Sequence, residues 1–262
     1  MSENSAGAET PVDPTNVGQR NEGVNHRSSS RRNGKGMSHV LDRPVWNALS
    51  TRHAALAQGG SLAKRYAPSI HPFASSRDES PESLCGLAGI AAPGETLIFL
   101  QADEFVLPPG FGATMTAFGV QMIAGRHMPE VRDERIIALG EADAADMLEL
   151  ATLTKPGPFT LRAQALGDFW GIRENGRLIA MAGERLKQEG YTELSGVATH
   201  PDFQGKGLGR LMTLHAAGKI FAKGEQPFLH TYAANSVAIG LYESIGFRLR
   251  TRMNVAAIER QA

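Results

Sequence analysis

The sequence predicts an α/β (α+β) fold: a strand and a helix, a three-strand antiparallel meander, then helix, strand, helix and strand, all preceded by an N-terminal accessory segment. Three observations predict it. Asn175-Gly176 separates two strand-like runs, and Asn-Gly readily supplies the two positive φ angles of a type I′ hairpin turn. Ala238, Leu241, Tyr242 and Ile245 recur at i, i+3, i+4 and i+7, one face of a helix closed by Gly246. Gly205, Gly207 and Gly209 stand between a strand-like run ending at Thr199 and an apolar-periodic run beginning at Leu208. That order puts unhindered backbone N–H groups at the positive end of a helix dipole, where a phosphate is stabilised.

In chain order, residues 1–37 lack aromatics and are rich in Ser, Asn, Gly, Glu and Arg, too little apolar surface to offset the entropy of ordering. They are expected to be a disordered tail. Arg27, Arg31, Arg32 and Lys35 cluster there, but Glu3, Glu9, Asp13 and Glu22 spoil an acid-poor transit signature. Residues 38–133 are read as an accessory N-terminal domain, with a helix over 46–57 and strands over 96–100 and 113–124, broken by frequent prolines. Residues 134–262 form the motif-bearing domain. Its strands are expected at 135–139, 168–173, 177–187, 191–199, 227–232 and from 247 onward, and its helices at 141–152, from 207 to 224, and at 238–245. Leu208, Leu211, Leu214, Ala217 and Phe221 mark the inner side of the middle helix. In the last strand, Phe247, Leu249, Thr251, Met253 and Val255 alternate with Arg248, Arg250 and Arg252.

Composition narrows the function. Hydrophobic residues make up 42% and charged residues 21% of the 262, the balance of an ordinary soluble chain. Lys+Arg and Asp+Glu both number 27, so the basic footprint of a nucleic-acid binder is missing. The single Cys85 rules out an intramolecular disulfide and a cysteine zinc site. No apolar run approaches the ~18 residues of a membrane helix. The expectation is a cytoplasmic protein with no membrane or nucleic-acid partner and no metal.

Three phosphate-loop patterns compete for the glycine turn. A P-loop fails because no glycine stands four residues before a Gly-Lys-Ser/Thr. A dinucleotide fingerprint begun at Gly205 or Gly207 needs glycine where Arg210 or Met212 stands. Gln204-Gly205-Lys206-Gly207-Leu208-Gly209 does fit Gln/Arg-x-x-Gly-x-Gly/Ala, the pyrophosphate signature of the GNAT superfamily of acyl-CoA-dependent N-acetyltransferases. Thr199-His200-Pro201 before it, and Asn235, Leu241-Tyr242 and Gly246-Phe247 after it, also resemble that family, over residues 134–257. ELSGVATHPDFQGKGLG followed by LYESIGF looks like the subgroup related to glycine N-acyltransferases, which often carry an extra N-terminal half.

The resemblance implies a mixed, mostly antiparallel central sheet flanked by helices. It implies acetyl-CoA as cosubstrate, and transfer of an acetyl or short acyl group to a small-molecule or peptide amine by direct attack in a ternary complex. Backbone groups of Gln204, Gly205, Lys206, Gly207, Leu208 and Gly209 would then hold the pyrophosphate, while those near Val197 and Thr199 pair with the pantetheine arm and Asn235 adds a hydrogen bond. Lys206 and Arg210 either add charge there or are solvated. Gly196, in mid-strand, marks a bulge or a close ligand approach.

Glu193 occupies the position of a catalytic glutamate in some members, and alternation puts it on one face with Ser195, Val197 and Thr199. A free amine of pKa about 10.4 needs a proton acceptor before it attacks. Glu193 is the candidate base, and a structural carboxylate is the alternative. Tyr242 matches the acid that protonates the departing thiolate, though its place on an apolar stripe equally suits a core residue. His53, His71, His200 and His230 are read as packed or exposed histidines rather than ligands. A non-catalytic acyl-CoA-binding regulatory module is the rival function. The acceptor, and the choice between monomer and homodimer, stay open.

Overall fold

The computed structural model describes residues 39–261. The expected tail and its basic cluster lie outside the described residues. Local chemistry sets the first elements. Pro44 starts α1 (Pro44–Ser50), a 3-10 turn at Ala54–Leu56 follows, and three short strands, β1 (Ala57–Gly59), β2 (Ala63–Tyr66) and β3 (Ala74–Ser76), make a small antiparallel sheet. Helix α2 (Pro81–Ile90) is capped by Ser80, whose hydroxyl accepts from the Ser83 N–H. Neither α2 nor the small sheet is marked by a clear periodicity in the sequence, and the helix expected over 46–57 stops at Ser50, the last residue of that span, Ala57, opening β1 instead.

The remaining strands share one eight-stranded sheet. In chain order they are β4 (Thr96–Gln101), β5 (Phe111–Ala124), β6 (Ile136–Leu139), β7 (Phe169–Glu174), β8 (Arg177–Gln188), β9 (Tyr191–Thr199), β10 (Gln226–Tyr232) and β11 (Phe247–Arg260), arranged β4-β11-β5-β10-β9-β8-β7-β6. Every neighbouring pair is antiparallel except β9 and β10. The fold is therefore a mixed, mainly antiparallel sheet flanked by helices. The β7–β8 turn carries Asn175 at φ 51° and Gly176 at φ 81°, the two positive angles expected of Asn-Gly.

Residue alternation distributes the core to both faces. Met122 and Leu229 pack with Met212, Ala216, Ile220 and Tyr242 of α4 (Leu208–Ala222) and α5 (Ser236–Ile245), whereas their neighbours Ile123 and Phe228 pack with Leu41, Val45 and Leu49 around α1. Phe169 and Met181 cover Met147 and Leu150 of α3 (Ala144–Thr154). The boundary drawn near residue 133 falls inside one sheet, because β5 separates β10 from β11. Residues 38–262 cluster as one unit. No helix among the described residues is long and apolar enough to cross a membrane.

Two expected patterns are corrected. Helix α4 buries Met212, Thr213, His215, Ala216 and Ile220 as well as Leu208 and Ala217, while Leu211, Leu214 and Phe221 are only partly covered. The reason is a second neighbour: a Cβ on Gly218 would lie 2.6 Å from Glu130 Cα, and His215 Nδ1 donates to the Val131 carbonyl at 2.8 Å. In β11 a register shift between Leu249 and Thr251 breaks the alternation. Phe247 therefore packs with α5 while Met253 packs on the α1 side, and Leu249 is exposed.

Candidate active site

Strand β9 delivers the chain to the glycine turn. The His200 ring is buried and caps the 3-10 turn Pro201–Phe203, its Nδ1 accepting from the Asp202 N–H at 3.2 Å and its Nε2 meeting Arg177. Gly205 and Gly207 both sit at φ 76°, left-handed backbone that side-chain-bearing residues rarely adopt. A Cβ at either would project into open space, so conformation rather than crowding demands glycine there. Gly209 packs closely instead: a Cβ on it would lie 3.6 Å from Thr199 Oγ1, and this approach seats the start of α4 against the end of β9. Gln204, Gly205, Lys206 and Gly207 are exposed, Leu208 is buried, and the first-turn N–H groups of the helix have no intrahelical acceptor. Lys206 Nζ lies over the Phe203 ring at 4.6 Å, and Arg210 donates to Ser244 Oγ at 2.9 Å.

Beside this turn the sheet opens. Strand β10 pairs with β9 only at Gln226↔Tyr191, Pro227↔Thr192 and Phe228↔Glu193, so residues 194–199 have no strand partner on that edge. Gly196 at φ 63° forms the bulge expected of it: Gly183 pairs with Ser195 but Met181 with Ala198, one extra residue on β9. The bulge reverses the faces. Leu194 joins the α4–α5 core and Ala198 the α3 core, so Glu193 and Ser195 do not share a face with Val197 and Thr199. The sequence expectation of one common face is corrected accordingly.

Glu193 is completely buried and fully engaged. Arg185 donates from Nε at 2.9 Å and from Nη2 at 2.7 Å, the Leu186 N–H donates at 3.2 Å, and His230 Nδ1 donates at 2.7 Å. Burial alone raises the carboxyl pKa, but Arg185 and His230 outweigh it and hold Glu193 well below the usual carboxylate range. His230 Nε2 accepts from Gln121 Nε2 at 2.8 Å, while Gln121 Oε1 accepts from Arg250, which also reaches Asp42 at 2.5 Å. These partners place a proton on His230 Nδ1, facing Glu193. The relay crosses β9, β10, β5 and β11 without a vacant proton acceptor.

Tyr242 lies on the opposite, α4–α5 side, 8% exposed, edge-to-face with Phe247 at 6.1 Å. Burial pushes its pKa up to about 12, and its hydroxyl has no partner among the described residues. Asn235 caps α5, its side-chain oxygen accepting from the Ala238 N–H at 3.1 Å. Val197 and Thr199 are half-buried along the unpaired edge of β9. Glu193 and Tyr242 are thus on opposite faces of the sheet, with the β9–β10 opening between them.

A cavity of about 120 Å³ lies on the Glu193 side, walled by Phe73, Ile98, Leu100 and Met115 and by Arg185, His230 and Asn235. A smaller one of about 10 Å³ adjoins it across Pro156, Gly157 and Pro158 and reaches His71, Ser195 and Gly196. His71 is 1% exposed, and burial, then Arg185, pull its pKa down to about 3. Its Nδ1 accepts from the Phe73 N–H at 3.3 Å, so the proton sits on Nε2, which makes no well-formed hydrogen bond although the Pro158 carbonyl acts on the ring. Arg185, Lys155 and Phe73 are site residues that sequence reasoning missed. Arg185 stands in a strand-like run with no motif around it, and its partner eight positions on is apparent only once the β8–β9 register is known.

A solved structure from Novosphingobium aromaticivorans DSM 12444, assigned to the GNAT family of acetyltransferases, is 36% identical to this chain and superimposes with a TM-score of 0.81, covering 86% of this chain and 100% of its own. This chain belongs to the GNAT superfamily. The FR47-like protein family matches residues 169–255, which run from β7 into β11 and include the glycine turn. A GCN5-related N-acetyltransferase from Kribbella flavida shares the GNAT fold at 16% identity and a TM-score of 0.56, covering 86% of this chain and 96% of its own. The [ribosomal protein bS18]-alanine N-acetyltransferase of Escherichia coli K12 is 35% identical over 81 residues, 30% of this chain. That match spans about half of the relative's length, 54%.

Proposed function

We propose that this GNAT protein moves an acetyl or short acyl group from acyl-CoA to an amine, by direct attack in a ternary complex. The observation that carries the reading is the left-handed Gly205/Gly207 turn at the start of α4, set beside an opening where β9 loses its strand partner. The residues present fit a diphosphate: backbone N–H groups of 205–209 at a helix N-terminus, with Gly205, Lys206 and Gly207 exposed and Arg210 alongside. The unpaired edge at Val197 and Thr199 offers main-chain groups to an extended amide arm, and Asn235 at the α5 cap offers its side-chain amide. Acyl-CoA, once bound, supplies an activated thioester carbonyl. The extra N-terminal strands within the sheet support the finer resemblance to the subgroup related to glycine N-acyltransferases.

The two catalytic candidates take different roles in this reading. Every lone pair of Glu193 that faces a donor is occupied, so Glu193 holds Arg185 and His230 in place and the amine's proton leaves to water. Tyr242 stays protonated across the neutral range. Full transfer from a phenol of pKa about 12 to a thiolate whose acid has pKa about 8.5 is uphill, so Tyr242 assists by donating a hydrogen bond to the developing charge on sulfur.

The absence of a vacant carboxylate base around Glu193 among the described residues favours one competing reading, a non-catalytic acyl-CoA-binding module. Purified full-length protein separates them. Acetyl-CoA consumption with formation of an acetylated amine, followed by mass spectrometry over an amine panel, supports the enzyme. Saturable CoA binding with no product from any amine supports the module. No CoA-dependent rise in Tm overturns both.

A further inference from the structure

The pair of adjoining cavities on the Glu193 side has a one-sided polar character. Arg185 Nε and Nη2 are spent on Glu193, but Nη1 has no partner among the described residues and points to the 156–158 loop, 4.0 Å from where a Cβ on Gly157 would stand. Lys155, held at φ 50° where α3 ends, lines the larger cavity with no carboxylate partner among the described residues. His71 lines the smaller cavity, where its Nε2–H makes no well-formed hydrogen bond and has the Pro158 carbonyl nearby. All three are donors. The carboxylates nearby are occupied: Glu193 as described, and Glu184 by Lys187 at 2.6 Å and Lys223 at 2.5 Å. The apolar part of the lining is made by Phe73, Ile98, Leu100, Met115 and Val255, with the Arg185 guanidinium over the Phe73 ring at 5.0 Å.

Resting on the acyltransferase reading, we propose that the acceptor is a small amine carrying both a carboxylate and an apolar side chain, as an apolar α-amino acid does. Its carboxylate faces Arg185 Nη1, Lys155 Nζ and the His71 Nε2–H, and its side chain lies against Phe73, Leu100 and Met115. A volume of about 120 Å³ is enough to take one such side chain. The same cations disfavour a second positive charge, so they exclude polyamines and hold the incoming amine toward its neutral, nucleophilic form. In the transfer, the amine nitrogen bonds to the acyl carbon and loses one proton to water, while the C–S bond breaks and CoA leaves with the electron pair.

The test is acetyl-CoA turnover by the full chain over L-leucine, L-phenylalanine, leucinamide, glycine, spermidine and an alanine-initiated peptide. Product is read by mass, because the exposed Cys85 would itself react with a thiol reagent. Leucine and phenylalanine are expected to exceed leucinamide and glycine by about tenfold or more in kcat/KM, the cost of leaving charged donors unmatched or an apolar wall uncovered. Lys155→Gln should raise the KM for leucine roughly three- to tenfold while leaving the KM for leucinamide and the affinity for CoA unchanged. Preference for spermidine, the peptide, glycine or leucinamide overturns the acceptor class and leaves acyl transfer standing. If no amine is turned over, leucine is added to the CoA-bound protein: a rise in Tm retains the pocket and overturns transfer, and no rise overturns both.

Discussion

Replacing Glu193 with Gln separates a proton acceptor from a carboxylate that holds the site together. The side chain is 0% exposed and its chief partner Arg185 is 12% exposed, so the substitution leaves a guanidinium beside a neutral amide and forces an NH2 group against donors. Removing one partner of a buried ion pair costs about 3–5 kcal/mol, and the retained amide oxygen puts Glu193→Gln near 3 kcal/mol. For a unit of this size that is a fall in Tm of roughly 6–12 °C, read by thermal unfolding at pH 7. The pH dependence has a definite sign. Arg185 and His230 depress the folded-state pKa of Glu193 below its unfolded value of about 4.3, so the stabilisation is fully present above that value and is lost as pH falls through the folded pKa. The Tm gap between wild type and variant is therefore constant from pH 6 to 9 and narrows only below about pH 4. A kcat/KM profile with a limb between pH 6 and 8 that vanishes in Glu193→Gln, at unchanged Tm, would refute this and restore Glu193 as the base.

Gly207→Leu forces a side chain onto backbone at φ 76°, costing about 1–2 kcal/mol, and should weaken CoA binding by tenfold or more in calorimetry; undiminished affinity in the folded variant rejects the glycine turn as the diphosphate seat. Tyr242→Phe removes a hydrogen bond felt only as charge develops on sulfur, so kcat should fall on the order of tenfold with the Kd for CoA unchanged. Because burial pushes that hydroxyl up to about 12, wild-type kcat should show no alkaline limb from it below pH 10. Asn235→Ala deletes the cap on Ala238 N–H and should cost about 1 kcal/mol, or 2–4 °C in Tm, and an unchanged melting curve would deny the cap any weight.

What was legible in the sequence is what short-range chemistry decides. Asn175-Gly176 specifies its turn, Asn235 and Gly246 bound α5, Gly196 announces its bulge, and the glycines of 205–209 name the helix N-terminus. What was hidden depends on partners distant in the chain. The bulge at Leu249/Thr251 moves Met253 to the other face, and only the register with β5 reveals it. The burial of α4 on two sides follows from the segment at Pro129 and Glu130, some ninety residues upstream. Glu193 matched a family position, yet its engagement with Arg185 and His230 requires the β8–β9 hairpin and the β9–β10 pairing together, and no local pattern encodes their conjunction.

The position of β5 ties the N-terminal half to the opening itself. Strand β10 gives β9 three consecutive pairs and gives β5 five, from Phe228↔Ile123 to Tyr232↔Gly119. Past Phe228 its ladder therefore belongs to β5, and β9, whose own course is bent by Gly196, is left without a neighbour where the thioester would lie. The same half supplies Phe73, Ile98, Leu100 and Met115 to the apolar wall, and β5 supplies Gln121, which meets Nε2 of His230 while Nδ1 faces Glu193. In the proposed transfer the glycine turn at residues 204–209 serves the donor side and residues 39–133 the acceptor side, since β5, which takes over the ladder of β10, belongs to the same half that walls the proposed amine pocket.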